Sequence, residues 1–559
     1  MESDTAPRPE LRPLDLAGLA VVAATARTFN LGTFSLWLDE ILLMLRARGG
    51  PAEVWAACRA NAEHPPLSAL VTAAMNAAGA TETVHRLLTV ALGVATVLLL
   101  AAWAGRRFGR AAGLVTGLVT ALVPFHVRYS QELRPYVYLL LFAALTLLAS
   151  DRLERRPGPG SAALACAAIL GGFYSHHLFA LVLIPAAWPL VEAALRRKNR
   201  RALALFAVAA GVAFLAFVPW LLAITGELSG REAAGGARSW TWRLALQRWQ
   251  FLTVGALEGD GITWAGFLAL ALAVLGAAAA LRSPAGRAAV AGAVLGIGGA
   301  EIFMAATDHW SSGRYDSAGW LFLPVLIGLG IARISEIRPS RRESSPPGPL
   351  SHLPPTHTPG EGETSTDLSF SPSPGGGRWG DGRGGRGVRT PRADAAFRGT
   401  LLAALVLAAL LVGQGLGLAR YARAGRSDWD QVAEAVRRVH RPGEPVLVEN
   451  EWTRISLGYY LQGPDFQNRQ GEDGAPVLVG AGPRRLRQLW PADRRAVLVV
   501  AGIPRQQPLR RWARAFPVAG RFPRSNARVF LLTPEVRQRL FDSGVRAAGP
   551  ARMLLGSGS

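Results

Sequence analysis

The sequence predicts a polytopic α-helical membrane protein with a small α/β domain near its C-terminal end, and three observations lead there. Half of the 559 residues are hydrophobic and the mean hydropathy is positive, too apolar for an ordinary soluble protein of this length. Residues 86–105, 202–224, 262–281 and 399–419 each approach the roughly 20 apolar residues that cross a hydrocarbon core. The short segments between such runs are basic, as cytosolic loops of membrane proteins are.

Taken in order, spans are expected near residues 14–35, 86–105, 111–127, 134–150, 161–175, 178–195, 202–224, 262–281, 285–306, 318–335 and 399–420, about eleven in all. The first run is interrupted by Arg27 and Asn30 and has no small-residue cleavage site after it, so it reads as a retained span with a cytosolic N-terminus. The inner loops then carry Arg106, Arg107 and Arg110, the stretch 152–156, the stretch 196–201, and Arg282 with Arg287. The outer segments are 36–85, the turn around 125–134, Ser175 to His177, 225–260, 307–317 and the C-terminal region. They hold nearly all the carboxylates and histidines able to do chemistry. In the first outer loop, 40–48 and 53–61 have apolar residues at helical spacing and are expected to lie along the membrane surface.

Residues 338–397 break the pattern, being rich in Pro, Gly, Ser and Arg without apolar periodicity. That composition predicts a disordered cytosolic insert. Beyond it, the runs 445–448, 476–479, 496–500 and 529–532 alternate with helix-like stretches, which predicts the α/β domain, on the outer side. The expected organisation is a membrane core over 1–337, the insert over 338–397, a last span over 398–421, an extracytoplasmic domain over 422–545 and a flexible tail over 546–559.

The formal charge of +22 does not point to nucleic acid, because Lys198 is the only lysine and the basicity is arginine in short loops, where the positive-inside rule accounts for it. Cys58 and Cys166 have no metal-like spacing and support no disulfide framework.

Four outer clusters carry the candidate chemistry. Trp37, Asp39 and Glu40 set two acids beside an aromatic anchor, which suits a general base with a hydrogen-bonding or metal-binding neighbour, although acids also flank spans without a role. Glu63 and His64 precede Pro65, Pro66 and Leu67; their donor types suit a divalent cation, but two candidate ligands do not make a site. The stretch from Arg128 through Tyr129, Glu132 and Arg134 to Tyr136 is denser in charge than a turn requires, and arginine suits bidentate recognition of phosphate. Tyr174, His176 and His177 form the fourth group with Asp308, His309, Arg314, Tyr315 and Asp316. Any single one could be structural; their common side favours a site.

In this order the motifs Trp-x-Asp-Glu, His-Pro-Pro-Leu, Tyr-Ser-Gln-Glu-x-Arg-Pro-Tyr, Tyr-x-His and Arg-Tyr resemble the bacterial relatives of protein O-mannosyltransferases and aminoarabinose lipid A transferases. These are membrane glycosyltransferases of the GT-C fold that use polyprenyl-phosphate sugars. The resemblance covers roughly residues 14–335, with a weaker echo at Asp428 and Trp429. His177, where an aromatic is common, and the insert depart from the pattern.

The resemblance implies a GT-C-like core that transfers a sugar from a polyprenyl-phosphate donor to a lipid, glycan or protein acceptor on the extracytoplasmic face of the plasma membrane. Asp39 would act as base or site organiser with Glu40 beside it. Arg128, Arg134 and Arg314, with Arg86 behind them, would bind the donor phosphate. Tyr129, Glu132, Tyr136, His176, His177 and Tyr315 would line the substrate pocket, and Glu63 and His64 would hold a divalent metal ion if one is used. The alternative is a transporter or lipid flippase; against it, the acids lie at one interface and no internal repeat is evident. A non-catalytic scaffold would leave Asp39 and Glu40 unexplained.

Overall fold

The computed structural model describes residues 10–197, 200–229, 241–255, 257, 261–306, 313–336, 391–424, 427–469, 475–478, 483–501 and 518–542. The chain separates into two compact units, Met1–Arg333 with Leu405–Ser559, and Ile334–Ala404. In the second unit the described residues are the end of one helix and the start of another. The insert's central residues 343–390 and the tail 546–559 lie outside the described residues.

The helices run α1 (Pro13–Thr28), α2 (Leu38–Arg46), α3 (Pro51–Asn61), α4 (Leu67–Ala77), α5 (Glu82–Phe108), α6 (Arg110–Leu122), α7 (Pro124–Gln131), α8 (Tyr136–Arg155), α9 (Pro159–Ser175), α10 (Ala180–Arg197), α11 (Arg200–Ser229), α12 (Trp242–Thr253), α13 (Trp264–Ala280), α14 (Pro284–Ala306), α15 (Ser317–Trp320), α16 (Leu323–Ser335) and α17 (Pro391–Ala424). Among the described residues, six helices are long and apolar enough to cross a membrane, or eight if each of two bent pairs is one span. Leu67–Ala77, Pro159–Ser175 and Trp264–Ala280 are shorter apolar helices. The expected spans fall on helices, 111–127 and 318–335 each on a bent pair and 14–35 on α1 only as far as Thr28, and the two amphipathic stretches of the first outer loop are α2 and α3. Helix α12 was not expected from the sequence, which reads 225–260 as a loop.

Two breaks matter most. Val123 precedes Pro124 and is extended, because a residue before proline is driven out of the helical region. Helix α6 therefore stops at Leu122, and α7 leaves at 58°. The segment Arg314–Trp320 meets Leu323–Ser335 at 47°. The expected turn around 125–134 is thus largely helical and buried: Phe125 to Gln131 belong to α7, Glu132 to Pro135 turn, and Tyr136 opens α8.

Arginines of the expected inner loops are partly neutralised by acids on neighbouring helix ends. Arg107 pairs with Asp151 and with Glu154, both at 2.6 Å, Arg110 pairs with Asp15 at 2.6 Å, and Arg287 pairs with Glu192.

The C-terminal domain is a five-stranded mixed sheet in the order β2-β1-β3-β5-β4, with β1 (Val446–Val448), β2 (Pro476–Leu478), β3 (Ala496–Ala501), β4 (Val518–Phe522) and β5 (Ala527–Leu532). Strand β1 is parallel to β2 and β3, and β5 is antiparallel to β3 and β4. Helix α18 (Trp429–Val439) packs Val432 and Val436 on Val446, Val497 and Val529, while Leu486 and Trp490 cover Leu447, Leu498 and Phe530 on the other face. Four strands match the expected apolar runs. Strand β4 does not, because most of its residues are exposed and it has no apolar run to read.

Candidate active site

Asp39 and Glu40 occupy the first turn of α2, where Trp37 is the N-cap. Glu40 is fully buried. One carboxylate oxygen accepts from Arg86 Nη2 at 3.0 Å and from the Trp37 N–H at 3.2 Å, and the other accepts from the Leu133 N–H at 2.9 Å. Asp39 faces differently: its side chain is 16% exposed, and Oδ2 lies 2.7 Å from Arg314 Nη1 and 3.4 Å from Arg134 Nη2. One carboxylate therefore staples the loop, and its neighbour stands between two guanidinium groups.

Glu63 and His64 arrive on a sharp reversal. Ala62 caps α3 with φ +43°, a left-handed conformation that costs a residue with a Cβ. The reversal sets Glu63 against Arg46 at 2.9 Å and Arg134 at 3.6 Å. Burial alone would raise its pKa, but Arg134 and Arg46 draw the carboxyl below the usual range. Arg134 also donates to His64 Nε2 at 3.1 Å.

The Arg-Pro-Tyr sequence at 134–136 ends the turn at Pro135, the N-cap of α8, so Arg134 and Tyr136 reach the same cluster. Rings of Tyr136 and His176 lie 5.3 Å apart, those of His64 and His176 5.0 Å, and those of Tyr129 and Tyr136 5.0 Å. His177 starts the turn after α9, and Tyr315 lies under the Arg314 guanidinium. Arg128 pairs with the buried Glu132 at 2.9 Å and lies over the rings of Tyr129 and Phe251. Asp308 and His309 lie outside the described residues.

Two expectations need correction. Glu40, expected as a catalytic partner of Asp39, has both oxygens occupied and no exposure, so its place is structural. Arg86, expected at the donor phosphate, is buried and donates to the carbonyls of Leu31, Phe34 and Ser35 and to Glu40. Among the described residues no group of three or more His, Cys, Asp or Glu is disposed to hold a metal ion. The Arg134 guanidinium lies 3.6 Å from Glu63 and 3.1 Å from His64 Nε2.

Some residues were not singled out in the sequence. Arg46 is a basic residue of an amphipathic stretch, and only folding shows that it pairs with Glu63. Tyr460, on helix α19 (Glu451–Gln462), accepts from the Leu36 N–H at 2.5 Å and contacts Glu82 at 3.3 Å. Ser35 bonds Ser427 and accepts from the Trp429 N–H at 2.9 Å. The C-terminal domain thus grips the loop that leads into Asp39.

The family described as dolichyl-phosphate-mannose-protein mannosyltransferase matches residues 63–222, a stretch from Glu63 through Arg134 and His177. The structure is similar to the crystal structure of ArnT from Cupriavidus metallidurans in the apo state, with a TM-score of 0.51 and 14% identity over 94% of this chain and 98% of that one. The chain has the GT-C fold. A crystal structure of the same ArnT bound to undecaprenyl phosphate gives a TM-score of 0.49 and 15% identity over 94% of this chain and 98% of that one. No curated protein sequence matches. The family match and the ArnT-like fold support a multi-pass GT-C membrane glycosyltransferase.

Proposed function

We propose that this protein transfers a sugar from a polyprenyl-phosphate donor to an acceptor hydroxyl at the extracytoplasmic face of the plasma membrane. The observation that carries the reading is Asp39, a partly exposed carboxylate held between Arg314 and Arg134. In the proposed step, the acceptor oxygen bonds to the anomeric carbon as its proton passes to Asp39. The bond from that carbon to the phosphate oxygen breaks, and polyprenyl phosphate leaves with the electron pair.

A leaving phosphate needs positive charge aimed at its oxygens. Arg134 and Arg314 supply it beside Asp39, with Arg128 at the Tyr129 side. Burial opposes charge on Arg134, but Asp39, Tyr136 and Glu63 hold its guanidinium more firmly protonated than usual. An apolar cavity of about 530 Å³, lined by Val21, Phe29, Phe34, Val127 and Leu418 with Gln131 at its polar side, suits isoprene units. Glu40 and Arg86 position the loop, and Tyr129, Tyr136, His176, His177 and Tyr315 are left to shape the sugar pocket.

The test uses purified protein in nanodiscs with polyprenyl-phosphate sugars. Asp39→Asn should insert normally and lose about 100-fold to 10,000-fold in transfer rate, the usual contribution of a general base. Wild-type transfer by the variant would remove Asp39 from the reaction. Solute or lipid movement in liposomes, with no sugar transfer by the wild type, would replace the reading with a transporter.

A further inference from the structure

The buried cluster of His64, Tyr136 and His176 carries a chemical selectivity that can be read from its hydrogen bonds. The His64 ring lies 5.0 Å from His176 and 6.0 Å from Tyr136, and Tyr136 lies 5.3 Å from His176. Arg134 Nη2 is 3.1 Å from His64 Nε2. A guanidinium nitrogen only donates, so Nε2 accepts and the ring proton sits on Nδ1. The Leu178 N–H donates to His176 Nδ1 at 3.2 Å. By the same logic the proton of His176 sits on Nε2.

His64 Nδ1 and His176 Nε2 are both buried without a partner among the described residues, as are Arg134 Nε and Tyr136 Oη. Three of these four atoms are N–H donors, and the fourth is a hydroxyl that can act either way. Burial, and then Arg134 beside it, hold His64 well below the ordinary histidine range, in keeping with a neutral ring. The carboxylates nearby are engaged: Glu63 with Arg46 and Arg134, Asp39 with Arg314 and Arg134.

Resting on the glycosyltransferase reading above, we propose that the unpartnered groups of this cluster bind the hydroxyl oxygens of a neutral sugar and select against a donor whose sugar carries an ammonium group. A hydroxyl can accept from the waiting N–H groups. An ammonium brings only donors and sets its charge against Arg134 and Arg314.

Matched donor pairs test this: polyprenyl-phosphate arabinose against its 4-amino-4-deoxy analogue, and polyprenyl-phosphate glucose against its 2-amino-2-deoxy analogue. Binding to the purified protein is read by native mass spectrometry, independently of turnover, and transfer is read alongside. The neutral member of each pair should be favoured by about 100-fold or more, since sites built to pair a substrate hydroxyl reject poor mimics strongly. His176→Asp, which adds an acceptor and a negative charge, should cut the preference below about 10-fold by the same reasoning. His176→Gln should keep its direction, and sugar-free polyprenyl phosphate should bind both variants as it binds the wild type. Equal or better binding of the amino members by the wild type would overturn the inference while leaving the glycosyltransferase reading standing. So would a parallel loss of sugar-free polyprenyl phosphate, which would make the cluster a phosphate site. Failure of every donor to bind or react would remove the glycosyltransferase reading and this inference with it.

Discussion

Exchanging each of the adjacent acids Asp39 and Glu40 for its amide separates stability from chemistry within a single helical turn. Glu40 accepts three hydrogen bonds, from Arg86, Trp37 and Leu133, with no exposure. Glu40→Gln keeps one acceptor and replaces the other with an NH₂ group facing donors. It also leaves the Arg86 side chain, 3% exposed, without its carboxylate. Breaking a buried pair by removing one partner costs roughly 3–5 kcal/mol. Arg86 retains the carbonyls of Leu31, Phe34 and Ser35, which places the expected loss near the lower limit, about 3 kcal/mol.

Asp39 and Arg314 are 16% and 23% exposed, so Asp39→Asn should cost no more than about 1 kcal/mol. Thermal unfolding in detergent should therefore fall by about 3 °C for Glu40→Gln and by about 1 °C or less for Asp39→Asn. Transfer should show the reverse order, nearly abolished for Asp39→Asn and retained by folded Glu40→Gln below its transition. If Glu40→Gln unfolds like the wild type and is inactive, the structural assignment of Glu40 is wrong and the acid doing chemistry is the buried one.

Further outcomes follow from the same geometry. Tyr460→Phe removes the acceptor of the Leu36 N–H, for which an unpaired donor costs about 1–3 kcal/mol; kcat should fall while the KM for donor holds, and a fall in donor affinity alone would show that Tyr460 does not act through the Asp39 loop. Glu63 has a depressed pKa in the folded protein, so its stabilising effect is complete above the ordinary glutamate value of about 4.3 and is lost as pH falls through the lower folded value. Melting temperature should drop in that acid window in the wild type and less in Glu63→Gln, as scanning fluorimetry can read. Gly93→Ala drives a Cβ against Ser130 Oγ, an overpacking worth about 1–3 kcal/mol; unchanged melting would show that α5 and α7 are not closely fitted there.

Much of the fold was legible because apolar runs and proline breaks are local signals. The motifs holding Asp39, Glu63, Arg134, His176 and Arg314 were legible as clusters, since folding brings them to one cluster. Which of Asp39 and Glu40 faces outward was not legible, because it depends on Trp37 serving as the N-cap and on Arg86 and Leu133 arriving from other elements. Arg86 reads in sequence as an arginine beside an apolar run, whereas its partners are carbonyls of the loop 31–35. Tyr460 stands more than 400 residues from the backbone group it bonds, and no local pattern announces such a contact.

The break at Val123 explains a charge that the sequence shows without a purpose. Interrupting a helix frees carbonyl groups, and in a segment expected to cross a membrane these find no water. Arg27 meets that need: fully buried, it donates to the carbonyls of Ala121 at 2.8 Å, Thr120 at 3.2 Å and Ala23 at 3.0 Å, and to Ser130 and His126 beyond the break. Gln131 returns bonds to the carbonyls of Arg27 and Phe29, tying the end of α7 to the end of α1. With the bend fixed in this way, Leu133 and Arg134 meet Glu40 and Asp39 of α2 instead of continuing along a straight α6. A buried arginine that interrupts the first apolar run is therefore part of the construction of the site, acting through the backbone it holds.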